Sequence, residues 1–209
     1  TRAEVATIFY RLLQDEAREN VWSRTNSYSD VASGAWYNSA VSTLTNAGIL
    51  TGYPDGTFRP DAPITRAEFA TIAARFYHAP EVTGDAFPDV PANEWYGEAV
   101  AWAQQKGIVT GFEDGTFRPN QNITRGEAMK IINKVLFRTP DKEHFLPDMI
   151  KWPDNSNTDA WYYTDVQEAT NNHDYERVNN TSPETWTKIT QARDWKALEA
   201  ELAQKYPNR

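Results

Sequence analysis

Three short phrases each combine a hydroxyl, a guanidinium and a carboxylate at a fixed spacing: TRAE at residues 1–4, TRAE at 65–68 and TRGE at 124–127. A Thr and a Glu three residues apart are typical of a capping box, in which each side chain accepts a hydrogen bond from the other residue's backbone N–H at a helix N-terminus. We therefore predict structural caps at three pairs: Thr1 with Glu4, Thr65 with Glu68, and Thr124 with Glu127.

The arginine of each phrase, Arg2, Arg66 and Arg125, has chemistry that capping does not need. A cation at the first helical position works slightly against the helix dipole. A guanidinium beside free backbone amides is suited to binding a carboxylate or a phosphate. The alternative is a salt bridge to an acid of a neighbouring repeat, and the spacing favours neither reading over the other.

These phrases lie in a repeat. Residues 28–77 and 87–136 align without a gap at a constant offset of 59 residues, and 21 of the 50 aligned positions are identical. Each copy predicts a first helix, a turn (TGYPDGTFRP or TGFEDGTFRP) and a second helix. Gly48 and Gly107 are predicted C-caps, and Asp30 and Asp89 are predicted caps or turn formers. One such unit cannot bury its own apolar face, so the copies must stack.

The two ends of the chain match complementary halves of the repeat. Residues 1–20 match its second half, and residues 148–175 match its first half, with His173 at the position of the capping glycine. We therefore predict a mostly α fold, in which helix–turn–helix repeats at 28–78 and 87–138 form a pseudo-threefold bundle closed by the two half-repeats. The remaining tail, 176–209, is predicted to be helical, with one short helix opening near Pro183, one longer helix, and tryptophans that pack against the bundle.

Composition excludes several classes of function. The net charge of −8 argues against nucleic acid and against attraction to anionic membranes. The absence of cysteine excludes disulfides and thiol chemistry, and no apolar run is long enough for membrane insertion. Because the chain opens in the middle of the repeat motif, we expect it to be a fragment whose export signal lies upstream.

The combination SDV, WY, AV, AGI, TGYPDGTFRP and ITRAE resembles the S-layer homology domain of bacterial cell-surface proteins, over about residues 1–175. The final WYY, VQEATN and HDY segment, with the tail that follows it, is similar to a clostridial subgroup of that family. The resemblance implies three units in a pseudo-trimer at the cell wall or S-layer of a Gram-positive-type bacterium. It also implies non-covalent binding of secondary cell-wall polysaccharide, often through a pyruvylated N-acetylmannosamine, without a cofactor or a metal.

By this resemblance, Arg2, Arg66 and Arg125 would hold the acid group of the sugar. The sugar grooves would be lined by the tryptophans Trp36, Trp95 and Trp161, by the acids Asp30 and Asp89, and by turns that approach the sugar at Gly52 and Gly111. For the tryptophans, anchoring in the core is an equally open alternative. Gly126 replaces Ala67 and is expected to weaken its helix slightly. The third groove lacks its glycine turn, so we expect two competent grooves and one damaged groove.

Three other functions compete with carbohydrate binding. Catalysis is not expected, because His78, His144 and His173 are scattered and no catalytic motif is present. The segment 154–165 faintly imitates a calcium loop but lacks its glycine and its final glutamate, so an Asp-rich turn is the preferred interpretation. A purely structural S-layer assembly module, acting through contacts with other S-layer subunits, remains the alternative function.

Overall fold

The computed structural model describes residues 1–82, 84–179 and 181–209, which form eight α-helices and one two-stranded antiparallel sheet. The helices and strands in chain order are α1 Arg2–Leu12, α2 Asp15–Val21, α3 Asn38–Asn46, α4 Arg66–Phe76, α5 Gly97–Gln105, α6 Arg125–Val135, α7 Tyr163–Thr170, β1 His173–Glu176, β2 Thr185–Ile189 and α8 Trp195–Lys205. Residues Thr1–Ala79 and Asp194–Arg209 form a first compact unit, and Pro80–Arg193 form a second. Among the described residues, no helix has both the length and the apolar character needed to cross a membrane.

In the first unit, the N-terminal half-repeat stacks on the complete repeat that follows it. Helix α1 packs against α3, and the fully buried ring of Phe9 lies 5.5 Å from Phe69 and 5.3 Å from Phe76 of α4. Helix α1 therefore supplies the apolar partner that α3 and α4 lack by themselves, as expected for a stacked repeat.

Both ends of the repeat helices have the local signals that the sequence predicts. The capping boxes at Thr1, Thr65 and Thr124 are present with both of their hydrogen bonds. Gly48 follows α3 with a φ of 71°, and Ile49 N–H donates to the Leu44 carbonyl over 2.9 Å. The positive φ of Gly48 is the left-handed conformation in which many helices end, and the hydrogen bond gives a carbonyl of the last helical turn its donor. Gly107 ends α5 in the same way, with a φ of 65°.

The Pro-Asp-Gly turn of the first repeat is held by its own side chains. Asp55 accepts hydrogen bonds from the Thr57 hydroxyl over 2.6 Å and from the Arg59 guanidinium over 2.8 Å. These bonds lower the pKa of Asp55 to about 2. Gly56 has a φ of 79°, which glycine adopts without strain. The turn therefore directs Phe58 into the core, where it is fully buried.

In the second unit, α6 packs against α7 of the C-terminal half-repeat. The Asn133 side-chain amide of α6 donates to the backbone carbonyl and to the carboxylate of Asp165, each over 3.0 Å. A Cβ atom at Gly126 would lie 2.7 Å from the Cβ atom of Tyr162. Gly126, which the sequence marks only as a weaker helix former than Ala67, therefore allows α6 to approach Tyr162 closely.

The tail corrects one prediction. Residues Thr185–Ile189 are not a short helix but strand β2, which pairs antiparallel with β1. The branched residues Thr185, Thr187 and Ile189 favour a strand, and the pairing partner comes from the half-repeat itself. Trp186 of β2 is buried beneath Phe145, with ring centroids 4.5 Å apart, so its packing role is confirmed. The longer helix is present as α8, capped by Asp194.

Candidate functional site

Three tryptophans at equivalent repeat positions are exposed to solvent. The exposed fraction is 64% for Trp36, 62% for Trp95 and 57% for Trp161. Each precedes a tyrosine that is the N-cap of α3, α5 or α7, and the two rings meet edge to face at centroid distances of 5.1 to 5.4 Å. We call these three surfaces the Trp36, Trp95 and Trp161 platforms.

The exposure of these rings argues against core anchoring, whereas their contact with a sugar stays a prediction. Anchoring in the core would bury them, whereas more than half of each ring's surface is open. Each ring also lies next to a helix N-terminus and against the edge of a tyrosine ring, and these neighbours restrict its orientation. A flat ligand would therefore meet a preorganised surface. Large aromatic rings that stay exposed at repeated positions mark a binding surface more often than a packing role.

Asp30 and Asp89 brace the glycine turn of their own repeat. The two carboxylate oxygens of Asp30 accept the backbone N–H groups of Phe58 and Arg59, each over 2.7 Å. Asp89 does the same with Phe117 over 2.8 Å and with Arg118 over 2.7 Å. Of the two predicted structural roles, these aspartates are therefore turn formers, since the helix N-caps are tyrosines.

Gly52 and Gly111 lie where the chain passes an aromatic ring of the same repeat. A Cβ atom at Gly52 would be 2.2 Å from Cε1 of Tyr28, and one at Gly111 would be 2.7 Å from Cε1 of Phe87. Packing alone therefore requires glycine at both positions. Their approach to a sugar stays a prediction.

Arg2 is buried, with only 6% of its surface exposed. Its Nε donates to the Phe58 carbonyl over 2.8 Å, and its two terminal nitrogens reach the Thr51 carbonyl over 3.1 Å and Glu68 over 2.8 Å. Glu68 is the capping acid of the next copy, so this geometry is the salt bridge to a neighbouring repeat that the sequence left open. Arg66 is equally buried at the start of α4.

Arg125 has a different environment. About 40% of its side chain is exposed, its guanidinium pairs with Asp154, and it lies 5.4 Å from the centre of the Trp152 ring. A surface ion pair is readily exchanged for another anion. Arg125 is therefore better placed than Arg2 to meet a carboxylate from outside.

The segment with the faint calcium pattern uses its acids internally. Asp154 pairs with Arg125, Asp159 lies 3.6 Å from Lys142, and Asp165 is buried beside Asn133. Each of these three carboxylates thus contacts a different side chain. The arrangement supports the interpretation of this segment as an Asp-rich turn.

A buried polar cluster in the second unit was missed by sequence reasoning. His173 of β1 stacks on Trp186 with centroids 4.0 Å apart, and its Nε2 lies 3.1 Å from Glu168 of α7 and 3.9 Å from Glu184. Burial and the neighbouring Glu168 carboxylate raise the pKa of Glu184 to about 7. Burial also acts to raise the pKa of Glu168, but its hydrogen bond and charge interaction with His173 hold that pKa below the ordinary value.

The distances within this cluster would permit a metal ion, since the ligand atoms of Glu168, His173 and Glu184 lie within 4.8 Å of one another. Two arginines already supply positive charge, however. Arg177 lies 3.0 Å from Glu184 and Arg138 lies 3.9 Å from Glu168. The charges are therefore balanced without a cation, and the cluster serves to join the hairpin to α7.

Sequence reasoning also missed the charged neighbours of the platforms. The Lys130 ammonium of α6 lies 5.2 Å from the centre of the Trp161 ring. Arg24 and Glu199 line a cleft beside Trp36. Lys130 lies in the helix before Trp161, and Glu199 lies near the C-terminus, far along the chain from Trp36. Neither contact could therefore be predicted from local residue spacing.

Comparison with known proteins finds two copies of one family unit in the chain. The family model of the S-layer homology domain matches residues 27–70 and 86–129. Each match contains the platform tryptophan, the glycine turn and the TRAE or TRGE phrase of one copy.

Several surface proteins are similar over much of the chain. Cell surface glycoprotein 1 of Acetivibrio thermocellus is 33% identical over 189 residues, which cover 84% of this chain and 8% of that protein. The cellulosome-anchoring protein of the same organism is 33% identical over 183 residues, covering 84% of this chain and 39% of that protein. The surface-layer 125 kDa protein of Lysinibacillus sphaericus is 42% identical over 94 residues, 44% of this chain and 8% of that protein.

The chain thus spans well under half the length of these relatives. In this chain, the matched unit contains the capped second helix, the glycine turn and the exposed tryptophan. The two complete repeats of this chain are therefore S-layer homology domains, and the chain belongs to that family of bacterial surface proteins.

Proposed function

We propose that this chain anchors a surface protein to the bacterial cell wall by binding secondary cell-wall polysaccharide without a covalent bond, with a pyruvylated sugar as the preferred ligand. The observation that carries the proposal is the set of three exposed tryptophans at equivalent helix starts. The family places the chain outside the cell, at the cell wall or S-layer. We infer a binding module rather than an enzyme.

The platforms are chemically suited to a polysaccharide. The face of a sugar ring is apolar enough to stack on an indole, while its hydroxyl groups need polar partners at the edge. A polymer that carries the same sugar many times can occupy several platforms of one chain. Binding at several weak sites on one chain raises the overall affinity well above that of each site.

An acid group on the sugar would find its partner most easily at Arg125. Its guanidinium is partly exposed and pairs with a surface carboxylate, that of Asp154. A pyruvate ketal offers a carboxylate of the same charge and geometry, which a guanidinium can bind through two parallel hydrogen bonds. The expected ligand roles of Arg2 and Arg66 stay predictions, and their burial leaves a ligand only the edge of each side chain.

The closed pseudo-threefold arrangement also belongs to this proposal. It is supported by the same pairing in both units: the second helix of one copy packs on the first helix of the next, α1 on α3 and α6 on α7. Repetition of one packing step is the basis of closed symmetric arrangements.

The test is binding of the chain to purified secondary cell-wall polysaccharide, with and without chemical removal of pyruvate. We expect saturable binding that weakens about tenfold in Trp36→Ala or Trp95→Ala, since a central aromatic contact is worth about 1–2 kcal/mol. Phe137→Ala is the matched control, because Phe137 is a comparably exposed aromatic residue outside the platforms.

Equal loss in the control variant, or binding that no platform variant changes, would contradict the proposal. Formation of ordered arrays without polysaccharide, combined with no binding to it, would instead favour the S-layer assembly function. If binding survives removal of pyruvate at full strength, anchoring stands and the acid group is not what the chain recognises.

A further inference from the structure

The first unit contains a cleft of about 410 Å³ between the start of α3 and helix α8. Trp36 forms one wall, and Ser39, Arg24 and Glu199 supply polar groups around it. Small residues, Gly34, Ala35, Ala200 and Ala203, line the rest and keep the cleft open. This volume falls in the range of small-molecule sites and exceeds the space that a single sugar ring needs.

Helix α8 is held firmly enough to act as a wall of a preformed site. Its first residue, Trp195, packs on Tyr10 of α1 with ring centroids 6.3 Å apart, and the Arg18 guanidinium lies 5.0 Å from the centre of the same ring. Its last turn contacts α2, where Lys205 and Tyr206 bond to Glu19. Both ends of α8 are thus fixed, which lowers the cost of ordering the cleft when a ligand binds.

Glu199 faces this cleft from α8. Burial raises the pKa of Glu199, whereas the hydrogen bond with Ser39 and the charges of Arg11 and Arg24 act in the opposite direction. A carboxylate that is half-buried, bonded to one hydroxyl and close to an exposed tryptophan has lone pairs left for a ligand. Such a group accepts hydrogen bonds from neighbouring hydroxyls.

The other two platforms show why this acid matters. The residue three positions after the tryptophan is Ser39 in the first repeat, Glu98 in the second and Thr164 in the C-terminal half-repeat. Trp95 directly precedes the N-cap of α5 and Glu98 lies in the first turn of that helix, so the second repeat has an acid near its platform along the chain. The first repeat has no acid there, and Glu199 reaches the corresponding serine from α8. The Trp161 platform carries Lys130 instead.

We propose that the cleft beside Trp36 is a carbohydrate subsite in which Glu199 selects a hydroxyl-rich sugar residue by accepting hydrogen bonds from adjacent hydroxyl groups. This inference rests on the proposed polysaccharide binding and adds a residue of the tail to it. Trp36 stacks on the apolar face of the sugar, and Arg24 donates to its oxygen atoms at the mouth of the cleft. The Trp36 platform thereby differs in specificity from the Trp161 platform, where a cation stands over the indole.

The test is a titration of the ¹⁵N-labelled chain with oligosaccharide fragments of the wall polysaccharide, following the indole N–H signals of the three platform tryptophans. Trp→Phe variants assign these signals. We expect Glu199→Gln to weaken binding at Trp36 about fivefold or more, in line with the loss of a hydrogen bond to a charged group, and to leave Trp95 and Trp161 unchanged. Glu201→Gln, an exposed acid of the same helix outside the cleft, is the matched control.

A second variant, Ala203→Leu, fills the cleft from α8 without touching a charge and should abolish the response of the Trp36 signal. Thermal unfolding of each variant shows whether the first unit remains folded. If Glu199→Gln and Ala203→Leu both bind at Trp36 as the parent does, the subsite inference is wrong while anchoring stands. If the parent itself shows no response at any platform, the proposed function fails first.

Discussion

Arg2 in the first unit and Arg125 in the second occupy the same motif position, the first residue of a helix that begins with a capping box. Arg2 is buried and bonded to the turn of the next copy, through the Thr51 and Phe58 carbonyls and Glu68. Arg125 is followed by a half-repeat without that turn, and its guanidinium contacts Asp154 and the Trp152 ring. The role of the arginine is therefore decided by the copy that follows it.

This contrast explains why one motif can serve two purposes. At Arg2, where a glycine turn follows, two guanidinium nitrogens donate to the Phe58 and Thr51 carbonyls and the third donates to the Glu68 carboxylate, so the arginine joins two copies. Where the turn is missing, the same side chain stays partly exposed and can exchange its partner. The half-repeat that follows Arg125 has no such turn, and about 40% of the Arg125 side chain is exposed.

The largest expected effect comes from Arg2→Ala. This change removes the Arg2 donors from the buried Phe58 carbonyl and from the partly buried Thr51 carbonyl and Glu68 carboxylate, at a cost of about 1–3 kcal/mol for each buried group left unsatisfied. Chemical denaturation followed by tryptophan fluorescence, to which the buried Trp22 of the first unit contributes, would measure it. Arg2→Lys should recover little, because an ammonium cannot reach three acceptors in fixed directions. A decrease in the free energy of unfolding below about 1 kcal/mol would mean that the Arg2 guanidinium does not hold the two copies together.

The buried cluster of the second unit predicts a pH dependence. The pKa of Glu184 is about 7 in the fold and near 4.3 in an unfolded chain, so the native state binds a proton that the unfolded state lacks between these values. The free energy of unfolding contributed by Glu184 is therefore fully present below about pH 4 and falls as pH rises through 7. The charged groups that face Glu184 are Glu168, His173, Arg138 and Arg177.

Glu184→Gln removes this titration. From pH 5 to pH 8, the parent should lose about 2–3 kcal/mol of unfolding free energy relative to the variant. Urea denaturation at several pH values measures the difference, and Glu176→Gln, an exposed acid of β1, is the control. Parallel pH profiles for the parent and Glu184→Gln would show that Glu184 is not protonated in the fold.

Gly126 and Ala67 offer a smaller test of the same comparison between units. Alanine is the better helix former by about 1 kcal/mol, so propensity alone predicts that Gly126→Ala stabilises α6. The added Cβ atom would collide with Tyr162 at 2.7 Å, and overpacking of this kind costs about 1–3 kcal/mol. We expect a net loss of stability. Tyr162→Gly removes the contacted Cβ atom, so adding Gly126→Ala to that variant should cost no further stability, and a gain in Gly126→Ala alone would contradict the close approach.

The parts of the fold that sequence could predict depend on near neighbours. Thr65 with Glu68, and Gly48 after α3, act within one turn of helix, and the structure contains both motifs. Strand β2 was missed because its pairing with β1 is a tertiary contact that overrides a weak helical pattern. Glu199 beside Trp36 was missed for the same reason, since the two residues are far apart in the chain. The burial of Arg2 depends on the next copy and not on its own motif.

The smallest expected effect on stability is that of Arg125→Ala. Its ion pair with Asp154 is exposed on both sides, and such pairs contribute at most about 1 kcal/mol. Its effect on binding should be larger, because a charge-assisted contact to the sugar carboxylate is worth about 1.5–3 kcal/mol. Binding to pyruvylated polysaccharide should therefore fall about tenfold or more while the unfolding curve stays in place. Polysaccharide without pyruvate supplies the control, since parent and variant should bind it equally. If Arg125→Ala instead lowers stability and leaves binding unchanged, Arg125 has a structural role like that of Arg2. The absence of the glycine turn after Arg125 would then have no effect on ligand binding.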